Sequence, residues 1–216
     1  MQFTPELMPE LIEAVNKVIE QNADEVTQLD QVLGDGDHVT NLQRGLQALK
    51  QLYPEYPQTS WPEALQKTGM TLLTTMGGAS GSLFGTFFIS MSKATKADNS
   101  LNQKSFSVAY IQAVEAVKKR GKSEAGEKTM LDVLIPVAKI LKENIEKDEP
   151  LTDLLDKIEL AAINGMESTR DMLATKGRAS YLQEKSLGHI DAGAKTSQLI
   201  ICTVTKELKK YCNDSV

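Results

Sequence analysis

The chain has 216 residues, 41% of them hydrophobic, which suits one domain spanning residues 1–216 with a substantial core. A formal net charge of −5 without a basic block disfavours nonspecific binding to nucleic acid or to an anionic membrane. Met1 is followed by Gln, Phe, Thr and Pro rather than a basic segment and an apolar run, and no stretch approaches bilayer-spanning length; a cytoplasmic protein is expected.

Apolar residues at helical spacing predict a first helix from Pro5 to about Ile19, with Thr4 as its cap and Pro5 at the first helical position. A shorter helix is predicted from Asp24 to Leu33, and a third follows His38 with Leu42, Leu46 and Leu49 on one face. The Tyr53-Pro-Glu-Tyr-Pro57 segment ends it, because each proline disfavours helix in the residue before. Ser60-Trp-Pro-Glu63 has the form of a capping box, and Leu65, Leu72, Leu73 and Met76 supply the next apolar face. Gly77-Gly-Ala-Ser-Gly-Ser82 leads into a buried helix through Met91, and Lys93 to Asn102 reads as a polar connection. Val108, Ile111, Val114 and Val117 mark a sixth helix that stops at Gly121.

A polar loop then runs to Lys128, and Thr129-Met130 opens a helix with Leu131, Leu134, Val137, Leu141 and Ile145 inward. Pro136 is expected to kink it or mark its start. Leu154 through Met166 trace a helix continuing to about Leu173. Ala174 to Gly193 reads as a long ordered loop, of the kind that is often functional, and Ala194 to Tyr211 as the last helix. Cys202 and Cys212 lack a CxxC pattern and are read as ordinary thiols. With no sustained period-two alternation and no internal repeat, the class is all-α with eight or nine helices.

The chemistry concentrates in Asp30-Gln-Val-Leu-Gly-Asp-Gly-Asp-His-Val-Thr-Asn41, which places three carboxylates, two glycines and a histidine within twelve residues. On a folded-back loop Asp30, Asp35 and Asp37 could converge on one hard cation, magnesium or calcium rather than zinc. The plainer alternative is a Gly/Asp turn with solvated acids. An EF-hand is excluded, since Thr40 and Leu46 stand where the loop needs its glycine and its bidentate glutamate. Clustered aspartates suit a magnesium ion shared with a phosphorylated ligand. Gly77-Gly-Ala-Ser-Gly81 at a helix entrance could supply backbone N–H groups to that anion, or could serve only as a tight turn. Gly121-Lys-Ser123 is not the end of a Walker A loop, because Ala116 occupies its first glycine position. Gly78-Ala-Ser-Gly-Ser82 is not a nucleophile elbow, because Ser82 replaces the closing glycine. In the late loop Lys176 and Arg178 are either solvated or phosphate contacts, and His38 and His189 either structural hydrogen bonders or ligand contacts.

Taken together, Gly34-Asp-Gly-Asp-His38, Gly77-Gly-Ala-Ser-Gly81, Lys128-Thr-Met130, Ala174-Thr-Lys-Gly-Arg-Ala-Ser-Tyr181 and Gly188-His-Ile-Asp191 resemble the ADP-binding L subunits of bacterial dihydroxyacetone kinases. The likeness extends over essentially the whole chain. It implies an eight-helix antiparallel barrel whose loops at one end hold a nucleotide and two magnesium ions. It further implies that ADP is a retained cofactor, converted to ATP by a phosphohistidine M subunit of the phosphotransferase system. The γ-phosphoryl then passes to dihydroxyacetone held on a K subunit, and a homodimer is compatible with the family. By the same resemblance Asp30, Asp35 and Asp37 match magnesium ligands and, with Arg178, the catalytic set. His38, Thr40, Asn41, Ala79, Ser80, Gly121, Met130, Arg178, Asp191 and Gly193 match positions around the nucleotide. Three residues depart from the family pattern: Val39 stands where glycine is common, and Ser82 and Ala192 replace prolines. Ordinary backbone angles are expected at Val39, since positive φ is unfavourable for a β-branched residue. A regulatory nucleotide-binding paralogue, or a kinase component for another small hydroxylated substrate, are the competing readings.

Overall fold

Apolar stripes at helical spacing and well-defined breakers between them produce nine α-helices among the described residues, which are 3–95, 101–147 and 149–213 of a computed structural model. They are α1 (Met8–Gln21), α2 (Ala23–Leu33), α3 (His38–Lys50), α4 (Trp61–Thr75), α5 (Gly78–Thr95), α6 (Gln103–Gly121), α7 (Leu131–Lys147), α8 (Leu151–Ser168) and α9 (Ala192–Asn213). Packing runs α1, α3, α4, α5, α6, α7, α8, α9 and back to α1, so eight helices close a ring. The short α2 stays outside it, against α3 and α9. This is the all-α, eight-helix antiparallel barrel. The two-residue link between α4 and α5 is too short for anything but antiparallel neighbours, and the longer α8–α9 connection returns the chain in the same sense. No helix of the described residues is long and apolar enough to cross a membrane.

Two apolar clusters fill the ring. One joins α1, α3 and α4 around Ile19, Leu42, Leu46 and Leu65, and the other joins α6, α7 and α8 around Val117, Leu134, Val137 and Leu154. Phe84, Phe87, Phe106 and Leu29 pack against both, so the interior is continuous.

Several boundaries differ from the sequence expectation for identifiable reasons. Pro5–Leu7 is a 3-10 turn and the α-helix starts at Met8. Pro9 has no N–H to give the Pro5 carbonyl an α-type bond, and Met8 N–H takes that carbonyl instead. Thr4 forms no capping bond. The Ser60 capping box is present, with Glu63 accepting from the Ser60 backbone at 2.9 Å. Leu73, expected in the core, is 40% exposed. On α6 the buried face is rotated from the expected one: Tyr110, Ala113, Val114 and Val117 are buried, whereas Val108 is exposed. Tyr110 sets this rotation by packing edge-on to Phe87, with ring centroids 5.2 Å apart. The residue past α6 that turns left-handed is Lys122, not a glycine.

The helix α7 runs through Pro136, neither starting there nor stopping. The proline leaves the Asp132 carbonyl without its usual donor. That carbonyl faces Gly165 of α8, where any side chain would overlap it, so the two helices close over the gap. The eighth helix ends at Ser168, short of Leu173, and passes into a 3-10 turn at Thr169–Asp171. The α5 helix extends to Thr95, and the part of the predicted polar connection at 96–100 lies outside the described residues. The late loop contains a 3-10 segment, Arg178–Ser186, interrupted at Gln183.

Candidate functional site

In an antiparallel ring every second connection falls at the same end. Here the α2–α3, α4–α5, α6–α7 and α8–α9 connections all line one cavity of about 600 Å³. The first residues of α3, α5, α7 and α9 form part of its wall. Four helix N-termini therefore direct their N–H groups and positive dipole ends toward a common space, a setting that favours an anion.

The acidic turn lies in this wall and closes on itself. Gly34 ends α2, its N–H donating to the Asp30 carbonyl at 2.6 Å, and any side chain on Gly34 would overlap the Asp30 carboxylate. The same carboxylate accepts the His38 backbone N–H at 3.0 Å, which fastens the end of α2 to the start of α3. Asp37 stands at the cap position of α3 but makes no capping bond. Asp35 pairs with Arg178 at 2.7 Å. One oxygen from each of Asp30, Asp35 and Asp37 lies within 4.8 Å of the others. An all-oxygen set, partly open to solvent and with Asp37 uncommitted, fits magnesium.

His38 is buried and joins three elements. Its Nδ1 is 3.0 Å from Ser80 Oγ on α5 and its Nε2 is 2.9 Å from Thr196 Oγ1 on α9. Burial pushes its pKa down against the opposing pull of Asp30 and Asp37. Ala79 and Ser80 lie at the α5 entrance, Gly121 and Met130 across from them, and Asp191 and Gly193 at the start of α9. The geometry thus brings together Asp30, Asp35, Asp37, His38, Ala79, Ser80, Gly121, Met130, Arg178, Asp191 and Gly193. Thr40 and Asn41 are outside the cavity. Thr40 is exposed on the opposite side of the first turn of α3. Asn41 is buried against Gly77 and Gly78, supporting their turn from below.

Lys128 was read from the sequence only as part of the Lys128-Thr-Met130 motif and was given no role of its own. It is 1% exposed, and its Nζ donates to the carbonyl oxygens of Thr169 and His189, both at 2.5 Å. Those carbonyls flank the late loop, so the lysine fixes where that loop leaves α8 and where it returns. Burial lowers its pKa, with Asp191, Asp171 and Asp132 opposing. Asp191 accepts the Ala194 N–H at 2.8 Å at the head of α9, and burial pushes its pKa up to about 6. The only sequence signal for Lys128 was its place before Thr129-Met130.

The DAK2 domain matches residues 32–206. The chain belongs to the DAK2-domain family. Relatives named as ADP-binding subunits DhaL of PEP-dependent dihydroxyacetone kinases are 42% identical over 84% of this chain in Listeria innocua and 41% identical over 78% in Escherichia coli. These matches cover 86% and 80% of the relatives, and the class of the chain is that of a phosphotransferase subunit. The human triokinase/FMN cyclase is 34% identical over 84% of this chain, but only 31% of its own length is covered. A dihydroxyacetone kinase of C. freundii, solved with AMP-PNP and Mg2+, shares the fold at TM-score 0.71 and 22% identity, covering 96% of this chain and 35% of that one.

The three residues expected from the resemblance to depart from the family pattern fall in different places. Val39, in the first turn of α3, has no positive φ and is buried in the core, outside the cavity lining. Ala192 is the first residue of α9 and is buried. Ser82 lies on the cavity wall, where its Oγ accepts from Arg120 Nε at 2.6 Å.

Proposed function

We propose that the chain is the nucleotide-carrying subunit of a dihydroxyacetone kinase. ADP is its retained cofactor, recharged to ATP by a phosphohistidine M subunit of the phosphotransferase system, and the γ-phosphoryl goes to dihydroxyacetone held on a K subunit. The observation that carries this reading is the meeting of three carboxylates with four helix N-termini around one cavity. Carboxylates alone would repel a phosphate, and N-termini alone would not hold a cation. Together they suit a metal and a polyphosphate bound side by side.

In this arrangement Asp30, Asp35 and Asp37 hold two magnesium ions, which supply charge neutralisation to the phosphates when bound. Ser80 and the N–H groups at the α5 entrance receive phosphate oxygens. Arg178 reaches across from the late loop, pre-oriented on Asp35, and can move its planar fork onto an incoming phosphoryl group. Gly121 and Met130 border the base, and Asp191 and Gly193 close the α9 side. Phosphoryl transfer asks little covalent chemistry of a protein, so positioning and charge placement account for the role of each residue.

Titration calorimetry tests the assignment. Asp35→Asn is expected to abolish magnesium-dependent ADP retention while helical content by circular dichroism stays nearly unchanged. Unaltered ADP affinity would remove the metal-ligand role. Reconstitution with K and M subunits, phosphoenolpyruvate and the phosphotransferase proteins is expected to yield dihydroxyacetone phosphate. Failure in an otherwise competent mixture would instead favour another substrate or a regulatory role.

A further inference from the structure

Four basic side chains line the cavity: Arg120, Lys128, Lys176 and Arg178. Three are committed within the protein. Lys128 is spent on backbone carbonyls, Lys176 pairs with Glu127 at 3.5 Å, and Arg178 pairs with Asp35. Arg120 is different: among the described residues it has no carboxylate partner, and its one hydrogen bond runs from Nε to Ser82 Oγ. The two terminal nitrogens of the guanidinium remain available for a ligand.

Its surroundings indicate which part of a ligand. Arg120 ends α6 beside Gly121, and the adjoining wall is apolar, formed by Leu83, Val117, Met130 and Leu131. The carboxylates and Arg178 belong to other connections, α2–α3 and the late loop. A nucleotide whose phosphates lie on the metal side would place its base along this apolar wall. A guanidinium is flat and weakly hydrated, and stacks on aromatic faces where an ammonium does not.

We infer that Arg120 closes over the base of the bound nucleotide, and that Ser82 is its positioning residue; this rests on the nucleotide-carrier reading above. The hydroxyl of Ser82 holds Nε and fixes the plane of the fork before the ligand arrives, reducing the ordering cost of binding.

Titration calorimetry in magnesium with two probes, ADP and inorganic pyrophosphate, separates a base contact from a phosphate contact. Arg120→Ala is expected to weaken ADP by about tenfold and to change pyrophosphate by less than about twofold. Arg120→Lys, which keeps the charge but not the plane, should remain as weak as Arg120→Ala. Ser82→Ala should weaken ADP by about threefold, again without affecting pyrophosphate, and Ser82→Thr should restore it. Equal losses on both probes, no loss on either, or rescue by lysine would each overturn the base contact. Failure of Ser82→Thr to restore affinity would overturn the brace. If the unaltered protein binds neither probe, the nucleotide-carrier reading falls and this inference with it; if it binds both and Arg120→Ala binds ADP equally well, the inference falls alone.

Discussion

The acidic turn and the late loop line the same cavity and touch each other, yet they are held in opposite ways. The turn closes within nine residues, through the Asp30 carboxylate on the His38 N–H and the Gly34 N–H on the Asp30 carbonyl. The late loop depends on groups far away in the chain. Lys128 holds both of its ends, the Glu127 carboxylate accepts from Thr175 Oγ1 at 3.1 Å, and the Arg170 carbonyl accepts from the Gly188 N–H at 2.8 Å. A cluster of Leu33, Ala174 and Ala179 joins the two regions, as does the Arg178–Asp35 pair. The acidic turn is thus specified by local spacing, whereas the late loop takes its place only once the ring has closed.

The largest expected effect breaks this contrast at Lys128. Lys128→Met leaves the carbonyls of Thr169 and His189 buried without a donor and should cost about 3 kcal/mol, read from the urea midpoint. Proteolytic cleavage should appear first between residues 170 and 190. An unchanged midpoint would mean that the late loop supports itself.

The next effect depends on pH and belongs to Asp191. Its folded-state pKa, near 6, lies above its ordinary value of 3.8, so the folded protein binds this proton more tightly than the unfolded chain does. The stability it contributes is fully present below pH 3.8 and is lost as pH rises through 6, amounting to about 3 kcal/mol. Unfolding free energies measured from pH 4 to 7 should show this downward contribution in the native protein but not in Asp191→Asn. Parallel curves would contradict it.

Gly34→Ala sharpens the contrast from the other side. The added methyl displaces the Asp30 carboxylate, and magnesium-dependent ADP affinity should fall by about tenfold. The late loop should keep its protease resistance, and loss of that resistance would show that the turn and the loop form one unit. The smallest stability effect is expected at the contact between them. Arg178 is 69% exposed in its pair with Asp35, so Arg178→Ala should change the unfolding free energy by less than about 0.5 kcal/mol. Its phosphoryl-transfer rate should nevertheless drop in the reconstituted system.

Much of this was legible in the chain as written. Heptad-like spacing in α3 and α8, the Ser60 capping box and the Asp30–Asp37 cluster all depend on neighbours within one or two helical turns, and such short-range terms do not wait for the fold. The face of α6 was harder to read, because its rotation follows from Tyr110 meeting Phe87 on another helix. Thr40 and Asn41 resemble family positions around the nucleotide, but helical geometry turns one to solvent and the other beneath the Gly77 turn.

By itself the sequence determined the helices, their breakers and the carboxylates, since propensity, caps and local spacing act before the chain is compact. Only the tertiary structure decided that alternate connections share one end, that four helix N-termini converge there, and that a buried lysine sets the late loop. Those relations join residues up to 158 positions apart, as in the His38–Thr196 contact, and they follow from closing the ring rather than from any stretch within it.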